Sequence, residues 1–202
     1  MSLKITQRMN GKMKGFRSLN TSPIDNDFCQ RMSKNTKSIC SKCYSRRAVT
    51  TYATCARKPW KENGRILSRV LTDVQLPVIT DKYFRFQSHG ELLNATHYIN
   101  LLNIAKKNPE TIFVLPTKRK KIVEKFGKQG AENVILSYSE PFINHFVEEL
   151  PPHFDRRFSV FTKEYSKEND IEINCGARLC MECLQCYKLD GKNIKYVNEH
   201  LK

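Results

Sequence analysis

Eight cysteines fall in two groups, Cys29, Cys40, Cys43 and Cys55 near the start of the chain and Cys175, Cys180, Cys183 and Cys186 near its end. The 119 residues between Cys55 and Cys175 contain none. Thiolates are soft ligands that suit zinc and iron–sulfur clusters. A disulfide framework spreads its bridges through a short chain, whereas two terminal groups around a cysteine-free middle read as ligand sets. The later set is the more specific. Cys175-x4-Cys180-x2-Cys183-x2-Cys186 contains two overlapping CxxC steps, the spacing that opens the bacterial ferredoxin run, and a cubane presents separate irons to such a loop. One tetrahedral zinc is usually served by two separated knuckles instead. A [4Fe–4S] cluster on these four cysteines is therefore the expectation, with zinc as its alternative. Gly176 lets the backbone turn between the first two ligands, and Arg178 and Lys188 flank the set.

The earlier set has a single knuckle, Cys40-x2-Cys43, with Cys29 before it and Cys55 after it. Three arrangements stay open. Cys29, Cys40 and Cys43 hold three irons of a second cubane and leave the fourth open. Alternatively Cys55 closes that site, or the two sets share one metal. Cys55 lies on an expected helix, where a free cysteine is commonly a core residue.

A third polar group stands at a strand end, Phe84-Arg85-Phe86-Gln87-Ser88-His89-Gly90-Glu91. Ligands of parallel α/β sheets bind beyond the carboxyl ends of the strands. Gly90 permits an unusual backbone there, and Glu91 would either cap the next helix or hold an amine. Thr117-Lys118 and Thr162-Lys163 follow two other expected strands and would make the same mouth electropositive.

The elements that must carry these groups alternate. Period-2 and continuous apolar runs predict strands at 83–86, 111–115, ended by Pro116, 133–138 and 158–161, with a short strand at 3–6. Helical spacing predicts helices at 44–57, 60–74, 91–107 and 118–126, and a weak one at 141–150 before Pro151-Pro152. Strand, helix, strand, helix, strand predicts an α/β fold, a partial βα-barrel or a mainly parallel sheet with flanking helices. No linker divides the 202 residues, so a single domain is expected over 1–202. Its two ends are a basic cysteine segment, 1–58, and a cysteine-cluster segment, 171–202.

Lys and Arg number 35 against 20 Asp and Glu, a formal charge of +15. Residues 30–69 hold eleven Lys and Arg and one acid, Glu62. Such a stripe is an electrostatic footprint for phosphates, and Phe16, Tyr44, Tyr52 and Trp60 lie among or beside these charges, where they stack on bases or join the core. A nucleic acid or a host protein is the expected partner. No apolar run reaches the ~20 residues of a membrane span, and the basic N-terminus has no apolar signal region, so a cytoplasmic protein without a membrane partner is expected. P-loop, GxGxxG, HExxH and serine-elbow motifs are missing from the sequence, which disfavours nucleotide hydrolysis and protease chemistry.

The early cysteine loop ending Cys43-Tyr44, the strand ending Phe86-Gln87-Ser88-His89-Gly90-Glu91, the exit Phe113 through Thr117-Lys118, the Leu150-Pro151-Pro152 step and the closing cysteines together resemble the phage gene product 88 family. The resemblance spans most of the chain and implies a phage protein acting in the host cytoplasm. A more remote similarity is to radical SAM enzymes, with a partial βα barrel, a three-cysteine loop and a Gly-Glu segment that holds S-adenosylmethionine. That resemblance implies Cys29, Cys40 and Cys43 as cluster ligands, Gly90 and Glu91 as the S-adenosylmethionine segment, and the last four cysteines as an auxiliary cluster.

Overall fold

The computed structural model describes residues 2–201 apart from 147, 177 and 189–193. One seven-stranded sheet runs in chain order: β1 (Ile5–Thr6), β2 (Ser18–Leu19), β3 (Tyr83–Phe86), β4 (Ile112–Thr117), β5 (Val134–Ser139), β6 (Arg156–Phe161) and β7 (Tyr196–His200). β1 is antiparallel to β2, and every later pair is parallel. The fold is thus the mainly parallel sheet with flanking helices that the alternation predicts. Parallel neighbours need long crossovers, and helices fill them. α1 (Asp27–Ser33), α2 (Tyr44–Thr50) and α3 (Arg57–Leu67) separate β2 from β3. α4 (Ala95–Lys107) and α5 (Lys120–Phe126) follow β3 and β4, and α6 (Lys163–Glu168) and α7 (Cys180–Cys183) precede β7.

Alternation along the strands gives the sheet two different faces. Phe84, Phe86, Phe113, Leu115, Val134 and Leu136 meet Leu101, Leu102 and Ile104 of α4 and Val123 of α5 in the main core. Burying each of these side chains stabilises by about 1.5–3 kcal/mol. The intervening positions, Tyr83, Ile112, Val114 and Ile135, meet Phe16 and Tyr187 with Cys180, Leu184 and Cys186. The last cysteine segment therefore lies on the face opposite α4 and α5. Arg85 shares that face, since it is aligned with Ser18 and Val114.

Several boundaries differ from expectation. Pro116 does not end β4 but lies within it. The Ile112 N–H donates to Lys82 on the β3 side and the Phe113 N–H to Asn133 on the β5 side. The Pro116 nitrogen, in phase with Ile112, thus faces β3 beyond the last pairing, Arg85 with Val114, and no ladder bond is lost. The helix expected from Glu91 begins at Ala95, because the Asn94 side chain accepts from the His97 N–H and caps it there. The helix expected to run to Val74 ends at Leu67, where Asn100 donates to the Leu67 and Arg69 carbonyls. Pro59 sits inside the first turn of α3, where no intrahelical donor is needed. The helix expected at 44–57 stops at Thr50 and is followed by a 3-10 turn, Thr54–Ala56. The described residues of 141–150 form no helix, and Phe142 instead bridges to Ser38.

Candidate functional site

Three parallel strands end side by side. Thr21, just past β2, donates its N–H to the His89 carbonyl at 3.2 Å and its hydroxyl to Gln87 Oε1 at 2.8 Å. Gly90 has φ +87°, and a Cβ there would fall 2.3 Å from both the Thr21 carbonyl oxygen and its Oγ1. Only glycine fits where the two exits meet. Glu91 is buried. Its Oε1 accepts from the Thr117 hydroxyl at 2.5 Å and the Leu92 N–H at 2.8 Å, and its Oε2 from the Lys118 N–H at 2.8 Å. The carboxylate thus ties the β3 exit to the β4 exit by charge-assisted bonds. It does not cap α4, whose first turn starts four residues later.

The first cysteine loop is fastened to these exits by three polar side chains. Asn26 donates to the Glu91 carbonyl at 2.9 Å and accepts from the Cys29 N–H at 3.2 Å. Ser38 accepts from the Cys40 N–H at 3.1 Å and donates to the Pro141 carbonyl, beyond β5, at 2.9 Å. The Tyr44 hydroxyl donates to the Ser88 carbonyl, although its ring is 62% exposed. So anchored, Cys29, Cys40 and Cys43 share one neighbourhood with Glu91 and Lys118. Burial pushes the Cys29 and Cys40 thiols up. Glu91 and the other two thiols add to this at Cys29, whereas Lys118 and Ser38 oppose it at Cys40. Burial opposes the charge of Lys118, but Cys40, Glu91, Cys43 and Cys29 together outweigh it and hold its ammonium above the ordinary value. Its Nζ donates to Ser139 Oγ at 2.9 Å. Cys55 is exposed on its 3-10 turn, whereas Cys29, Cys40 and Cys43 are partly buried.

The His89 ring stacks on Trp60 with centroids 4.4 Å apart, its Nδ1 pairs with Ser45 at 3.0 Å, and burial pushes its pKa down to about 4. At the β6 exit the Thr162 hydroxyl accepts from the Tyr165 N–H and caps α6.

The second cysteine group lies on the cysteine-bearing face of the sheet. Cys180 and Cys183 bound α7, and Leu184 turns the chain at φ +52° toward Cys186. Cys175 is held through its N–H on the Asn198 carbonyl of β7 at 3.0 Å. Cys186 is within electrostatic reach of both Cys175 and Cys180, and Cys183 of Cys180. Burial raises the thiols of Cys175 and Cys180; Glu199 adds to it at the first, while Arg85 opposes it at the second. Among the described residues, no three His, Cys, Asp or Glu side chains close around one metal-ion position.

The model of the gene product 88 family matches residues 14–195, a span that includes both cysteine groups and Gly90-Glu91. The chain belongs to this phage family. No curated protein and no solved structure matches it. The features of this family member that sequence reasoning missed are the staples and the buried cations. Asn26 and Ser38 are ordinary loop residues until their N–H partners are seen to be Cys29 and Cys40. Lys12, Arg85 and Arg156, which no motif singles out, lie against the second cysteine group. Of the two flanking cations read from sequence, Lys188 offers its carbonyl to Arg156. Phe16 and Trp60 are core residues, while Tyr44 and Tyr52 expose their rings, 62% and 72%.

Proposed function

We propose that the protein is an iron–sulfur protein with two cluster sites, in which Cys175, Cys180, Cys183 and Cys186 hold a [4Fe–4S] cluster and Cys29, Cys40 and Cys43 hold a second. The carrying observation is that these three thiols gather with Glu91 and Lys118 at the carboxyl ends of parallel strands, while Cys55 is exposed. The donor sets suit the group: both are all-thiol, and the later one has the overlapping spacing that favours a cubane over a single zinc. Three thiolates leave one iron without a protein ligand, an open position for a small ligand, and a reduced cluster supplies one electron. Beside it stand a carboxylate and an ammonium. Glu91 Oε2 accepts a single backbone bond and keeps a lone pair for an amine, and Lys118 pairs with a carboxylate. A free amino-acid end carries both groups, so S-adenosylmethionine is the ligand this reading names, in a radical SAM-like role. Gly90 and Glu91 hold its amine, and the thiols need the reducing cytoplasm.

The test is iron and acid-labile sulfide on anaerobically purified chain, with EPR of the reduced sample with and without S-adenosylmethionine. About eight irons per chain support two clusters and about four support one. A ligand-induced change in the EPR signal that vanishes in Cys43→Ala supports the open iron. Zinc without sulfide overturns the cluster reading.

A second reading rests on the exposed basic segment. Arg31, Lys34, Lys37, Lys42, Arg47 and Lys58 are exposed around Tyr44 and Tyr52, a combination of phosphate-binding charge and stacking surface that suits single-stranded nucleic acid. Binding of a fluorescent oligonucleotide that weakens steeply with salt supports it. Binding of a host protein in its place, with no oligonucleotide bound, sinks it.

A further inference from the structure

The second cysteine group lies against buried positive charge that the described protein groups leave unbalanced. Arg156 is fully buried. Its Nη1 donates to the Gln185 carbonyl at 2.8 Å and its Nη2 to the Lys188 carbonyl at 3.3 Å, while Nε has no partner. Arg85 projects from β3 onto the same face, and its Nε is also buried without a partner. Among the described residues, neither arginine forms an ion pair with a carboxylate. A third cation, Lys12, pairs with Glu199 at 2.6 Å and reaches Cys175 Sγ at 3.6 Å. Glu199 offsets one of these three charges. Uncompensated buried charge is strongly destabilising, so the arrangement calls for an anion. Four thiolates around a [4Fe–4S] core carry a net charge of about −2, and about −3 after one-electron reduction.

Arg85 has Tyr187, Cys186, Tyr44 and Cys180 as its titratable neighbours.

We propose that Arg85 and Arg156, with Lys12, set the reduction potential of the carboxyl-terminal cluster by favouring its more negative, reduced state, which makes that cluster an electron carrier rather than a staple. This rests on the cluster reading above. The step is a one-electron reduction by a low-potential one-electron donor. The electron stays on the cluster, no bond to protein breaks and no proton moves.

The test is an EPR-monitored redox titration of the full chain, with dithionite as the donor, in wild type and in Arg85→Gln, Arg156→Gln, Lys12→Met and Arg85→Lys. Each charge-removing variant is expected to lower the midpoint. At a fixed solution potential the reduced-to-oxidised ratio falls about tenfold for either arginine, which is 59 mV for a one-electron couple, and less for Lys12, whose charge Glu199 already offsets. Arg85→Lys keeps the charge and recovers most of the shift. Lys12→Met decides the matter if the arginine variants fail to retain iron, since Lys12 lies at the edge of the site. Wild-type iron and sulfide with unchanged midpoints in the variants overturn this inference alone. A wild-type chain without sulfide overturns the cluster reading as well.

Discussion

Gly90→Ala separates backbone strain from close approach. Gly90 has φ +87°, and the left-handed region costs an alanine about 1–2 kcal/mol. The new methyl would also sit 2.3 Å from the Thr21 carbonyl oxygen and 2.8 Å from its carbon. These are backbone atoms, so relief requires the β2 and β3 exits to part, breaking the Thr21 N–H bond to His89, worth about 1 kcal/mol. The sum is about 2–3 kcal/mol. Gly130 is the control: its φ is +80°, yet its added Cβ would meet nothing within 4 Å, so Gly130→Ala pays strain alone, about 1–2 kcal/mol. Urea unfolding of both variants reads the difference. Because the first cysteine loop hangs on this junction through Asn26 and Tyr44, Gly90→Ala is also expected to lose iron from that site while Gly130→Ala keeps it. Equal destabilisation by the two substitutions would refute the reasoning.

Other substitutions probe the staples and the buried bases. Cys55→Ser is expected to leave iron content and stability unchanged, since Cys55 is exposed on a 3-10 turn; loss of iron on metal analysis would make it a ligand. Asn63 is fully buried, accepts from the Lys4 N–H at 2.7 Å and donates to the Lys4 and Asn20 carbonyls at 2.8 and 2.9 Å. Asn63→Ala strands those groups and should cost about 2–4 kcal/mol in a urea melt. Burial lowers the pKa of His97 to about 3 and that of His89 to about 4. The unfolded chain therefore takes up these protons first, and stability is lost as pH falls from about 6.5 toward those folded-state values. Urea midpoints at pH 7, 5.5 and 4.5 should fall in order, and His97→Gln should flatten the trend.

Strongly patterned segments were legible and their ends were not. Phe84, Phe86, Phe113 and Leu136 announce strands through apolar content, and α4 announces itself through its spacing. The ends depend on side-chain-to-backbone bonds formed at a distance. Asn100 closes α3 across some thirty residues, and Asn94 starts α4 later than its apolar pattern suggests. β2 has only Ser18 and Leu19 and no periodicity to read, yet pairing with β3 makes it part of the sheet. The seven proposed ligand cysteines were legible as types and spacings. That Cys29, Cys40 and Cys43 would meet Glu91 and Lys118 was legible only as a strand-end expectation, because the staples at Asn26 and Ser38 have no sequence signature.

The hardest residues to place were Arg156 and Arg157. Adjacent in sequence, both are fully buried, and strand alternation sends them to opposite faces. Arg157 lies between the rings of Phe146 and Tyr196, 4.4 and 4.9 Å from their centroids, where the ring faces offset its charge. Beyond those rings the three guanidinium nitrogens of Arg157 have no hydrogen-bond partner among the described residues. Arg156 has two carbonyls and, nearby, the Cys186 thiol. It lies against cysteines that, as four metal-bound thiolates, would supply the negative charge that four protonated thiols do not, which links the basic interior of this protein to the anionic centre proposed for it.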